Sequence, residues 1–200
     1  MRQLWLLPLL LTANIGLAAA EGFPTGFLGI SWGSSKEIFK ESMLKREGVT
    51  FDETNSEENI LIFDGGTFGG DSVAYITSFF FQNQLAKVLV VFKPKKQDVI
   101  PTYTQWVANL SGKYGKPTSA YKTFTTPYEE GDGYETQAIE NGKADYSSYW
   151  LFKVAEKPDT QRNGMSLEIE DNLSIIISYE YAELFSHLLK QIKQENAKDF

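Results

Sequence analysis

The sequence predicts an α+β fold: two tandem helix–sheet units, each of about four antiparallel strands, followed by a C-terminal helix. Three observations carry that expectation. Segments of helical period begin near Ser34, Thr102 and Glu180. The stretches between them alternate apolar and polar residues with the period of a strand. Polar tight-turn sequences occur at Gln82-Asn83-Gln84 and Asp171-Asn172, and the leucines that follow them, Leu85 and Leu173, are 88 residues apart. Phe79–Leu85 thus overlies Leu167–Leu173, as an internal duplication would require.

In chain order, Ser34 and Glu37 form an S-x-x-E capping box, whose side chains satisfy free N–H groups at a helix start. Ile38, Phe39 and Met43 supply the apolar stripe, and Gly48 ends the run. Short strands are expected at Val49–Glu53 and Asn59–Phe63, and longer ones at Tyr75–Gln82 and Leu85–Lys93. Between these pairs, Asp64–Asp71 has four glycines in eight residues, which reads as a turn or bulge. It matches neither the dinucleotide fingerprint nor a Gly-Lys-Ser/Thr phosphate loop. The second helix has a T-x-x-Q box at Thr102 and Gln105 just after Pro101. Its stripe is Tyr103, Trp106, Val107, Leu110 and Tyr114, and it stops at Gly115 and Pro117. Strands follow at Ser119–Phe124, Tyr146–Val154, Met165–Glu170 and Leu173–Tyr179. The last helix runs from Glu180 to about Ala197, with Tyr181, Phe185, Leu188, Leu189 and Ile192 on one face and lysines towards its end. The units divide at 21–98 and 99–200, and the second carries an acidic insertion at 127–145.

Composition excludes several chemistries. The 200 residues are 42% hydrophobic and 14% aromatic, too apolar for a disordered chain. There is no Cys, so no disulfide, thiolate nucleophile or iron–sulfur cluster, and a single His rules out a multi-histidine metal cage. Residues 1–20 read as a cleaved signal peptide: Arg2, a short apolar core over Leu4–Leu11, then Ala18 and Ala20 at the −3 and −1 positions before Glu21. Pro8 and Asn14 break the apolar core, which is shorter than the roughly 20 residues of a membrane-spanning helix. Cleavage would leave 180 of the 200 residues and, with Arg2 gone, take the formal charge from −7 to −8. Such an acidic chain is poorly suited to nucleic acid or anionic lipid. No second apolar run reaches membrane-spanning length, so the expected location is the periplasm or the extracellular space.

Among candidate functional residues, Glu129, Glu130, Asp132 and Glu135 in the insertion offer clustered oxygens of the kind calcium takes, without EF-hand spacing. The expectation there is a solvated, mobile loop and no metal or cofactor. His187 has Glu183 and Gln191 one turn away, and is expected to be structural. Glu168 and Glu170 share one strand face, as the carboxylate pair of a hydrolase would, but their alternation with Leu167 and Ile169 fits an outward solvent face. Two Asn-x-Ser sequons, at Asn109 and Asn172, carry no inference. Phe79-Phe80-Phe81 and Tyr149-Trp150-Leu151-Phe152 cannot place all their side chains on one side of a strand. They imply a sheet covered on both faces or an exposed aromatic patch, with Phe80, Tyr149, Trp150 and Phe152 as the binding candidates.

Two stretches carry a resemblance: Gly33-Ser34-Ser35-Lys36-Glu37 opening a helix, and Leu110 with Lys113-Tyr114-Gly115-Lys116-Pro117 closing one before a strand. They resemble exported bacterial helix-plus-antiparallel-sheet repeats, the architecture of the small β-barrel-assembly lipoprotein and of the β-lactamase-inhibitor protein. The lipoprotein's anchoring Cys and the inhibitor's disulfides are absent. The resemblance implies a non-catalytic, protein-binding envelope or secreted module, and it assigns no functional residue. The expectation is therefore a non-enzymatic protein-binding module, with a small apolar-ligand carrier and a carboxylate-dependent hydrolase as alternatives.

Overall fold

The computed structural model describes residues 22–154 and 162–196, so residues 1–20, where a signal peptide is expected, lie outside the described residues. The chain begins with a small hairpin, β1 (Gly26–Phe27) and β2 (Ile30–Ser31). Helix α1 (Lys36–Leu44) leads into β3 (Val49–Glu57) and β4 (Ile60–Gly65). The glycine-rich stretch forms a second small hairpin, β5 (Thr67–Phe68) and β6 (Asp71–Ser72), before β7 (Tyr75–Phe81) and β8 (Gln84–Phe92). Helix α2 (Val99–Tyr114) precedes β9 (Ser119–Phe124), a short helix α3 (Glu135–Glu140), and β10 (Ala144–Lys153). Then come β11 (Arg162–Ile169), β12 (Ile175–Glu180) and α4 (Ala182–Asn196).

Among the described residues, eight strands form one antiparallel sheet in the order β3-β4-β7-β8-β12-β11-β10-β9. Each half is a meander preceded by a helix, and the halves join through their last strands, β8 and β12. Whether the two halves would share a sheet was not legible in the sequence. The β7–β8 turn is tight because Gln82 (φ 49°) and Asn83 (φ 62°) both adopt the left-handed conformation that a two-residue hairpin loop requires. Asn83 also grips the start of α1, since its Oδ1 accepts from the Lys36 N–H at 3.0 Å and its amide donates to Glu37.

Both leading helices pack on the same face. Phe39 and Met43 of α1, and Val99, Tyr103, Trp106, Leu110 and Tyr114 of α2, are buried there against inward strand residues such as Phe63, Phe80, Val90, Ile177, Leu167 and Trp150. Phe39 meets Phe63 and Phe80 edge-on at 5.8 Å. Phe68 of the small β5–β6 hairpin stacks on Trp106 at 5.6 Å. A Cβ on Gly69 would strike the Trp106 ring, so only glycine lets this hairpin lie so close to α2.

Several local expectations are corrected. Ser35, not Ser34, caps α1, accepting from the Ile38 N–H. Ile38 is 54% exposed and does not belong to the stripe, because Phe39 and Met43, four residues apart, already fill the face turned to the sheet. Thr102 and Gln105 are not a cap. The helix begins at Val99, with Pro101 inside its first turn, where no N–H partner is needed, and Gln105 instead donates to Asn109. The 127–145 insertion is not simply a solvated loop: it contains α3, whose Ala138 and Ile139 are buried.

The two neighbouring α1 positions make the packing testable. Phe39→Ala is expected to cost about 3–5 kcal/mol, as for other buried aromatics. Ile38→Ala should cost under about 1 kcal/mol, as for surface positions away from special features. Urea denaturation of both variants reads the difference, and equal costs would mean that the face of α1 is misassigned.

Candidate functional site

The face opposite α1 and α2 is only partly covered. Helix α4 crosses it at β7, β8 and β11. Its start is fixed by Asn163, whose Oδ1 accepts from the Ala182 N–H at 2.9 Å. The His187 ring stacks on Phe81 at 5.6 Å, and the Lys87 ammonium lies 4.7 Å from the centre of the Phe185 ring. His187 therefore has a packing role, and Ser186 bonds to the Glu183 carbonyl.

Beyond α4, the outward positions of β8, β12, β11 and β10 line an open groove of about 310 Å³. The ladder aligns them in three rows. The first is Lys87, Glu180, Gly164 and Leu151; the second is Leu89, Ser178, Ser166 and Tyr149; the third is Val91, Ile176, Glu168 and Ser147. Ser178 and Ser166 occupy the middle of the second row and Gly164 lies beside them in the first, so a trough runs between Leu89 on one side and Tyr149 and Leu151 on the other. A Cβ on Gly164 would meet Glu180 and Leu151 at an ordinary 3.9 Å, so the glycine contributes depth rather than relieving a clash.

The two ends of the trough differ in charge. At one end, Lys87 and Glu180 face each other across β8 and β12 in a 2.6 Å ion pair. At the other, Glu168 and Glu170 line the groove together, and neither makes an ion pair among the described residues. Partial burial raises the Glu170 pKa above the ordinary carboxylate value, and the nearby charges of Glu168 and Asp171 push it the same way. Burial also raises the Tyr149 phenol. On the floor, Ser178 is 5% exposed and its Oγ has no hydrogen-bond partner. An unpaired buried hydroxyl costs about 1–3 kcal/mol.

Of the four aromatic binding candidates, only Tyr149 opens on this groove, beside the carboxylates Glu168 and Glu170. Phe80 is fully buried against Phe39, and Trp150 is buried with its Nε1 donating to the Gly115 carbonyl at 2.8 Å. Phe152, half-buried, packs on Phe23 and Tyr114. Strand alternation explains the split: Trp150 and Phe152 point to the helix side, Tyr149 and Leu151 outward. Phe80, Trp150 and Phe152 therefore form no exposed aromatic strip. Leu151, 46% exposed, is the second outward residue of that run. Leu89, Ser166 and Ser178 carried no signal of their own, since their grouping depends on the β8–β12 pairing.

The acidic insertion makes a different arrangement. Asp132 accepts from the N–H groups of Glu129 and Tyr134, Glu135 accepts from Gly131, and Glu130 pairs with Lys122 at 2.6 Å. These carboxylates organise their own loop, and among the described residues no set of three or more His, Asp or Glu is grouped to hold a metal ion. Comparison with protein-family models, curated proteins and solved structures found no match.

The Glu170 environment predicts a pH-dependent stability effect. A folded-state pKa raised above the unfolded value favours the protonated form, so the cost of holding the charge is absent at low pH. It appears as pH rises through the folded pKa. Glu170→Gln removes that cost and should raise the urea midpoint more at pH 7 than at pH 4. An equal gain at both would show that the carboxyl's charge is not the cause.

Proposed function

We propose that this chain is an exported, non-enzymatic module of the bacterial envelope or secretome that binds a protein partner through the open face of its sheet. The observation that carries the reading is the groove itself. Helices cover one sheet face, α4 covers part of the other, and beyond it apolar side chains are left in contact with solvent. Leu151 is 46% exposed and Tyr121, in edge-to-face contact with Tyr149 at 6.1 Å, is 50% exposed. Export is supported by Arg2, the apolar core over Leu4–Leu11 and the small residues Ala18 and Ala20. An internal duplication is supported by the helix-then-meander order in both halves. The small apolar-ligand carrier is less well supported, since this groove is open along the sheet rather than enclosed. The carboxylate hydrolase stays as a second reading because Glu168 and Glu170 line one groove and Glu170 is held towards its protonated form.

Two experiments test the proposal. N-terminal sequencing of the chain from its own host should give Glu21 as the first residue, and retention of Met1 would remove the cleaved-signal reading. A photo-crosslinking residue at Leu151 should capture a defined protein partner that the same residue at Ala108, on the exposed side of α2, does not. Leu151→Glu should then weaken binding of that purified partner by roughly tenfold or more, equivalent to about 1.4 kcal/mol. Equal capture at both positions, or unchanged affinity, would overturn the open-face interface.

A further inference from the structure

The groove has features that narrow the chemistry of its occupant. One end is electrically closed by Lys87 and Glu180, whereas the other presents Glu168 and Glu170 with no cation of the chain paired to them among the described residues. The walls between the ends are apolar and aromatic, Leu89 on one side and Tyr149 and Leu151 on the other. Independently of the charges, the Ser178 hydroxyl in the floor is more than nine-tenths buried and lacks a hydrogen-bond partner. It lies in the row between Leu89 and Ser166 on the groove side of the sheet, and its Oγ, out of contact with solvent in the free chain, is an acceptor that nothing in the chain satisfies among the described residues.

We propose that the groove receives an arginine side chain carried by the partner protein. The proposal rests on the open-face reading above and adds the chemistry of the contact. The aliphatic stem lies along the trough between Leu89 and Leu151. The guanidinium lies against the Tyr149 ring, donates to the Ser178 hydroxyl, and meets the unpaired negative charge of Glu168 and Glu170. Arginine fits this arrangement better than lysine, because its planar cation has five N–H donors and stacks on an aromatic face while pairing with carboxylates. Burial is the larger cause of the raised Glu170 pKa, and a bound cation offsets the remaining part, which comes from the charges of Glu168 and Asp171.

The test is an NMR titration of the labelled chain Glu21–Phe200 with N-acetyl-arginine methylamide, beside the lysine analogue and the uncharged norleucine analogue. The expected result is saturable amide shifts centred on Ser166, Glu168 and Ser178, with the norleucine analogue roughly tenfold weaker and lysine between the two. The double variant Glu168→Gln/Glu170→Gln should lose the response. Glu129→Gln/Glu135→Gln, in the separate acidic loop, should retain it. Absence of groove shifts, shifts spread over all acidic surfaces, or an equal response to norleucine would each overturn the arginine proposal. If the Leu151 crosslink and the Leu151→Glu loss are still found, the open-face interface survives that result and only its chemistry is wrong. If a groove response is seen without a crosslinked partner, the interface reading fails instead.

Discussion

The pairing of β8 with β12 is the constraint on which the rest of the structure depends. Phe92 lies opposite Ile175, Val90 opposite Ile177 and Val88 opposite Tyr179, and all six are buried on the helix side. This ladder turns two meanders into one sheet and brings the cores under α1 and α2 together as a single layer. Its reverse side is as consequential. The outward residues of the same two strands, Lys87, Leu89, Ile176, Ser178 and Glu180, form much of the groove, so the junction that builds the core also builds the candidate site.

Much of the fold was legible because strand and helix periods are strong local signals. β9 matches its expected bounds of Ser119–Phe124, and Tyr103, Trp106, Leu110 and Tyr114 form the buried face of α2. Capping was less legible. Adjacent serines at 34 and 35 offer the same chemistry, and the tertiary contact from Asn83 to Lys36 and Glu37 has no local signature. The small hairpins were missed for a related reason: two-residue strands carry no periodicity, and their burial comes from aromatic contacts such as Phe27 with Phe39 and Phe68 with Trp106.

The candidate site was the least legible part. Aromatic content pointed to Phe80, Trp150 and Phe152, yet those side chains are drawn towards the helices because large apolar surfaces are the most favourable to bury. What remains outside is defined by smallness and by charge: Gly164, Ser166 and Ser178 form a floor, with carboxylates at one end. Serines and a glycine spread over two strands look like ordinary outward positions until the register brings them into line. The pair Glu168 and Glu170 was visible in the sequence, but its position at the end of an apolar trough was not.

An open sheet has two outer strands whose backbone groups could template another copy of the chain, a route to fibrous assembly. Both outer strands here discourage it. In β3 the register breaks between Asp52 and Glu57, and Asp52 accepts from both the backbone and the side chain of Asn55, giving a distorted, acidic border. At the opposite border β9 is six residues long and carries Lys122 near its middle, tied to Glu130 of the acidic loop. The ladder therefore ends at both margins in charge and irregularity. The broad sheet is thus guarded at its own margins against growth by edge-to-edge pairing.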